Sequence, residues 1–195
     1  MGRPKKENSL TRQDVIEAAI ACLDREGESA LGVNRVAREL GIKPPAIYKH
    51  LDGNAALRQA VAIAIWQRFF AYYKQQTAGL NNPRTLLKAG GHATRDFARK
   101  HPALYKVIMQ VQLQPTDPEA SPIIQEALSF FRTGLEAYNC TENQLIDVMR
   151  MVNAAISGFI ALDQAGLLTL NRSTDVSFEV MLDALYVAIE HIRAS

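Results

Sequence analysis

Two cysteines, one tryptophan and a net charge of only +2 among 195 residues make this chain poor in the features that mark disulfide scaffolds or strongly polyionic binders. Cys22 and Cys140 stand far apart, with neither CxxC nor Cys/His ligand spacing, so buried thiols are expected rather than a disulfide or a metal site. His92, His101 and His191 also lack metal-ligand spacing and read as surface or capping residues. No uninterrupted apolar run approaches the roughly 18 to 20 residues of a membrane span, and the first residues lack the apolar stretch of a signal peptide. A cytoplasmic location with no membrane partner is the resulting expectation. Ser/His/Asp and Cys/His arrangements, a phosphate-cradling glycine loop and an isolated carboxylate pair are all missing, so the residues point away from an enzyme and call for no cofactor. No alternating strand pattern competes with the helical one.

What remains is a chain able to bury a core, with 48% hydrophobic and 22% charged residues. Its small charge is unevenly spread: residues 1–74 carry a net +4 and residues 75–195 a net −2. Within the first twelve residues Arg3, Lys5, Lys6 and Arg12 face only Glu7, so residues 1–10 read as a basic, flexible arm.

The pattern is all-α. Thr11 and Asp14 form a capping box ahead of Val15, Ile16, Ala19, Ile20 and Leu23, and Gly27 ends that first helix. A short second helix carries Leu31, Val36, Ala37 and Leu40 and stops at Gly41. Pro44 and Pro45 fit only the first turn of a third. After Asp52-Gly53 a long helix runs over 54–77. Further helices are expected near 83–100, 102–113, 122–138, 142–166 and 175–193. Pro83, Pro102 and Pro122 suit first-turn positions, and Thr141 with Gln144 makes a second capping box. The spacing predicts a helix-turn-helix head over 11–57 and a helical bundle over 58–195.

Two short helices meeting at a glycine turn are what a DNA major groove admits, with the N-terminal residues of the second reaching base edges. Ile47 and Leu51, four apart, should face the head's core with Leu40 and Ile42. Lys43, Pro45 and Ala46 then face outward, where Lys can donate to guanine and Pro or Ala can touch a thymine methyl. Tyr48, Lys49 and His50 carry donors suited to phosphate oxygens, contacts that fix register without reading sequence. Asn34, at the start of the second helix, joins these candidates. Arg3, Lys5 and Lys6 of the arm suit a narrow minor groove.

The stretch VARELGIKPPAIYKHLDGNAAL (36–57) resembles the signature of the TetR family of transcriptional regulators, and the resemblance runs over residues 10–60. It implies a homodimer on a palindromic double-stranded operator, released by a small-molecule effector. By position, Tyr48 and His50 take phosphate-contacting roles, and Lys43, Pro44, Pro45 and Ala46 face the groove. Three positions depart from the pattern. Gly32 replaces the Ser or Thr that caps the second helix, Asn54 replaces a phosphate-binding Lys, and Pro45 replaces a frequent Gly. RDFARKHPALYKVIM (95–109) and SGFIALDQAGLL (157–168) resemble a regulatory subgroup named for a Trp-His-Gly motif, of which Gly158 is present while Ser157 and Asn153 stand at the His and Trp positions.

The body has more apolar helix faces than one bundle seam needs, and the surplus calls for an internal pocket or a partner. Met109, Phe130, Phe131, Met149, Asn153, Ser157 and Phe159 are the candidate effector contacts. The last two helices carry the expected dimer face, with small residues for close approach. The alternative is a helical small-molecule-binding module whose head has lost DNA recognition; salt-dependent DNA binding separates the two.

Overall fold

The computed structural model describes residues 10–136 and 140–194. Nine helices and one 3-10 turn account for the regular structure among them, and no strand occurs there: α1 (Arg12–Glu26), the 3-10 turn (Glu28–Ala30), α2 (Val33–Glu39), α3 (Pro44–Ile47), α4 (Gly53–Thr77), α5 (Pro83–Lys100), α6 (Pro102–Gln110), α7 (Ser121–Leu135), α8 (Glu142–Gln164) and α9 (Thr174–Ala194). Local chemistry sets these ends. The Thr11 hydroxyl accepts from the Asp14 amide at 3.1 Å while the Asp14 carboxylate accepts from the Thr11 amide at 2.8 Å. The same reciprocal box joins Thr141 and Gln144 at the head of α8. Proline occupies the first turn of α5, α6 and α7. There it removes an amide that would have had no helical partner.

The chain divides into two compact units, the first running through Trp66 and including His101–Gln114, the second comprising Gln67–Lys100 and the residues from Pro115 onward. α4 contributes to both. In the first unit α1 packs on α2 and on α6. Its core collects Val15, Ile20 and Leu23 of α1, Val36 of α2, Ile47 of α3, Leu57 and Val61 of α4, and Val107 of α6, all with no more than 2% exposure. α6 thus joins this unit through tertiary contact, although residues 67–100, which belong to the second unit, separate it in the chain from the rest of the first. The head core differs from expectation in one respect. Ile47 and Leu51 are buried, but Leu40 and Ile42 are only half-buried, because they flank the turn rather than sit under it.

In the second unit α5 packs on α7, α8 and α9, and α8 on α7 and α9. α5 and α9 run antiparallel and are laced by charge: Arg84 meets Asp183 at 2.7 Å, Lys88 meets Asp183 at 2.9 Å and Glu179 at 3.1 Å, His92 meets Glu179, and Arg95 meets Asp175 at 2.8 Å. The cations recur every three or four residues along one face of α5, as helical geometry requires. Along α5, close approach of neighbouring helices is made possible by glycine. A Cβ on Gly90 would stand 1.9 Å from the Tyr73 hydroxyl, and one on Gly91 2.7 Å from Leu182 Cδ2. Tyr73 is wedged among Phe69, Phe70 and Phe130, ring centroids 5.3 to 6.3 Å away. Burial pushes its phenol up to about 12, so it stays a neutral hydroxyl.

α8 is long and apolar enough, by length and composition, to cross a membrane, yet only a minor part of that stretch is buried. Ile146 and Leu162 on α8, and Val176, Val180 and Val187 on α9, are exposed. The α9 residues follow one another at four and seven positions, which puts them on one helix face.

Candidate nucleic-acid interface

The turn between α2 and α3 is built by Gly41. Its φ of 65° is open to glycine at little cost, and it lets the Ile42 amide reach back to the Ala37 carbonyl at 3.0 Å and the Gly41 amide to the Arg38 carbonyl at 3.2 Å. That pair of bonds closes α2 and turns the chain into α3. α3 begins at Pro44, with Lys43 extended ahead of it as N-cap (φ −88°, ψ 143°). Only residues 44–47 are α-helical; 48–50 continue as turn, so the recognition element is one helical turn plus its extension.

Ile47 and Leu51 anchor this element in the core, which leaves the opposite side to solvent. Lys43, Pro45 and Lys49 are exposed, Tyr48 is 53% exposed, and Pro44, Ala46 and His50 are half-buried. Asn34 and Asn54 are exposed on the first turns of α2 and α4. Both border a hollow of about 360 Å³ together with Ser29, Arg35 and Arg38. The structure therefore gathers Asn34 and Asn54 in one place beside the α2–α3 element. Arg3, Lys5 and Lys6 lie outside the described residues.

Charge around this face is divided in two. Arg25 and Arg35 are held by Glu26 and Glu39: Arg25 lies 2.7 Å from Glu26 and 2.9 Å from Glu39, and Arg35 lies 2.8 Å from Glu39 and also bonds Glu26. Hydrogen bonds from Arg35, then Arg25, hold the Glu26 carboxyl down to about 2. Arg58 is similarly paired with Glu28 at 2.7 Å. Among the described residues Arg38, Lys43 and Lys49 make no ion pair. Their charge faces outward uncompensated, an arrangement suited to phosphate. Arg38 is the residue that sequence reasoning passed over. Its place in α2, one turn before Gly41, was the available signal.

Asn54 does something its position in the motif does not suggest. Gly32, the N-cap of α2, is extended (φ −155°, ψ 149°) and has no side chain to satisfy the helix's first amides. The Val33 amide instead donates to Asn54 Oδ1 at 2.9 Å.

The candidate effector contacts do not share one location. Met109 lies in the first unit and is 47% exposed. Phe130 meets Phe70 and Tyr73 edge-on, with Phe131 beside it at 6.3 Å. Phe159 belongs to another cluster, edge-on to Phe178 at 5.1 Å and against the Arg95 guanidinium at 5.3 Å. On α8, Met149 and Ser157 are half-buried and Asn153 is exposed. Of the histidines, His92 pairs with Glu179, and His101 Nδ1 lies 2.9 Å from Asp24.

Comparison with known proteins places this arrangement. Residues 15–61 match the family described as "Bacterial regulatory proteins, tetR family", and residues 87–185 match "Tetracyclin repressor-like, C-terminal domain". An uncharacterized HTH-type transcriptional regulator of Mycobacterium tuberculosis, Rv0681, is 30% identical over 97% of this chain and 85% of its own length. Among solved structures, BioQ bound to its double-stranded DNA operator aligns with a TM-score of 0.64 and 25% identity, covering 90% of this chain and 98% of that one. A variant of TetR from Acinetobacter baumannii AYE, in complex with minocycline, aligns at 0.72 with 21% identity over 95% and 98% of the two chains and shares the fold. With both halves matched and a relative similar over nearly its whole length, the chain belongs to the TetR family and is a DNA-binding transcriptional regulator.

Proposed function

We propose that the protein is a homodimeric repressor that holds a palindromic operator through the α2–α3 element and lets go when a small molecule binds its second unit. The observation that carries this reading is the outward trio Arg38, Lys43 and Lys49, without an ion pair among the described residues, around exposed Tyr48, whereas Arg25, Arg35 and Arg58 are each held by an acid. Lys43, Pro45 and Ala46 read base edges; Tyr48, Lys49, His50, Asn34 and Arg38 hold phosphates; Asn54 offers a neutral amide where an ammonium would be usual. BioQ, solved on its operator, supports the same use of the fold here.

Two recognition elements must fall roughly 34 Å apart, one turn of DNA, which requires a second copy. The exposed apolar stripe of α8 and α9 is the face for it. Ala154, Gly158 and Ala161 are exposed beside Ile146 and Leu162, and small residues let partner helices approach closely. Release follows from linkage: an effector that binds better to a conformation with the wrong spacing lowers DNA affinity by the same factor.

Selection of duplexes from a random pool by the purified protein tests the reading. Recovery of an inverted repeat whose binding weakens steeply with salt is expected; no binding at low salt would sink it and leave a helical ligand-binding module.

A further inference from the structure

We infer that Asn54 is a positioning residue for α2: its side chain supplies from α4 the N-cap that Gly32 lacks, so the two departures from the family pattern are one compensating pair. The proposal rests on the DNA-binding reading for its consequence, and on geometry for its cause.

A helix N-terminus leaves four amides without helical partners, and a capping side chain normally takes one of them. α2 has only seven residues, so each such amide is a large share of its hydrogen bonding. The Gly32 backbone already holds the extended N-cap conformation, and the Val33 amide is met by Asn54 Oδ1, 21 residues along the chain. The residue type at 54 is decisive. A lysine ammonium has donors only and cannot accept from an amide, whereas a carboxamide both accepts and donates. With Oδ1 taken, the two Nδ2 hydrogens of Asn54 remain to face a phosphate. One side chain therefore fixes the start of α2 to the start of α4 and still serves the interface.

The geometry also allows the function to be moved back. Gly32 has a φ of −155°, which any residue adopts, and a Cβ there would sit 3.8 Å from Asn54 Oδ1, an ordinary contact. Serine at position 32 therefore fits and can cap α2 from its own N-cap position.

Three variants separate the roles: Asn54→Lys, Asn54→Asp and Gly32→Ser/Asn54→Lys. Each is read by hydrogen exchange of the Val33 amide, and by affinity for a duplex selected by the wild-type protein. Asn54→Lys should speed Val33 exchange and weaken the selected duplex, each by about fivefold to tenfold, the scale of a lost cap. Gly32→Ser/Asn54→Lys should restore DNA affinity while Val33 exchange stays fast, because an N-cap serine accepts from the Asn34 or Arg35 amide rather than from Val33, and the lysine donates to phosphate. Asn54→Asp should keep Val33 protected but lose DNA affinity, since a carboxylate accepts from the amide and repels phosphate. Unchanged Val33 exchange in Asn54→Lys, or no recovery of DNA affinity on adding Gly32→Ser, would overturn the inference. If the wild type binds no duplex, the DNA reading and the interface half fall together, while the exchange pattern still decides whether Asn54 caps α2.

Discussion

The Arg95 guanidinium lies against the face of Phe178, 4.7 Å from the ring centroid, while its Nη2 donates to Asp163 at 2.9 Å and its side chain is only 4% exposed. A cation this deeply placed is bonded on all sides: Thr174 Oγ1 accepts at 3.1 Å and Asp175 closes the set. Burial pushes the Asp163 carboxyl up, but hydrogen bonds and charge from Arg95, then Arg99, outweigh it and hold the group below its ordinary value.

Removing Arg95 leaves Asp163 with a single exposed partner, Arg99. Arg95→Met should lower the unfolding free energy by about 1 to 3 kcal/mol, less than for a fully buried pair because Asp163 is part-exposed and keeps Arg99. Arg95→Lys should recover little, because an ammonium has no planar fork to share between two acids. Denaturant unfolding measures both, and a loss below about 1 kcal/mol for Arg95→Met would place the interaction among surface pairs.

Acid should loosen the first unit in a defined window. Glu26 has its carboxyl held down to about 2 in the folded chain, against 4.5 ordinarily, by Arg35 and Arg25. A depressed carboxyl contributes stability that is fully present above its unfolded value, near 4.5, and is lost as pH falls toward 2. Glu26→Gln should flatten this limb of the stability profile; an unchanged acid limb would assign the window to other carboxylates.

Roles at the DNA face should separate by substitution. Tyr48→Ala should abolish binding to every sequence, whereas Lys43→Ala should mainly relax discrimination between sites. Arg38→Ala should weaken all duplexes alike and reduce the slope of log K against log salt by about 1 per protomer. Equal losses on every duplex for Tyr48→Ala and Lys43→Ala would show that the division is wrong.

A charge on the exposed stripe should undo assembly without unfolding the protomer. Val180 is 56% exposed, so Val180→Asp costs the isolated fold little, but it buries a carboxylate in any interface formed there. Sedimentation should show a monomer that retains its helical signal and no longer holds a two-half-site duplex. A dimer of undiminished affinity would move the interface elsewhere.

Close approach at α5 gives a fifth expectation. Gly90→Ala puts a Cβ where the Tyr73 hydroxyl sits, and the ring is confined by Phe70 and Phe130, so overpacking of about 1 to 3 kcal/mol is expected. Tyr73→Phe added to it should recover part of that loss in thermal unfolding. Gly91→Ala meets only the end of Leu182 and should cost less.

Much of this was legible from local chemistry. Capping boxes at Thr11 and Thr141 and first-turn prolines mark helix starts because they act within a few residues. Ile47 and Leu51 declare the buried side of the recognition element by spacing alone. What escaped the sequence acts over distance. The Val33 amide finds its acceptor 21 residues away, Arg95 its Asp163 partner 68 residues away, and α1 packs on α6 with four other helices between them in the chain. An arginine on an amphipathic helix reads as solvent-facing, and nothing nearby announces that Phe178 and Thr174 enclose it. Met109, Phe130, Phe131 and Phe159 of α6, α7 and α8 carry no local sign of their neighbours; Phe130 meets Phe70 and Tyr73, and Phe159 meets Phe178.

The stripe on α8 and α9 has a consequence for gene control. A regulator that works only in pairs is governed by its own abundance. When most copies are single, doubling the protein raises the number of pairs about fourfold, so small changes in synthesis become larger changes in promoter occupancy. In the proposed homodimer the number of copies per cell then acts as an input of its own, set by how strongly Val176, Val180 and Val187 avoid water.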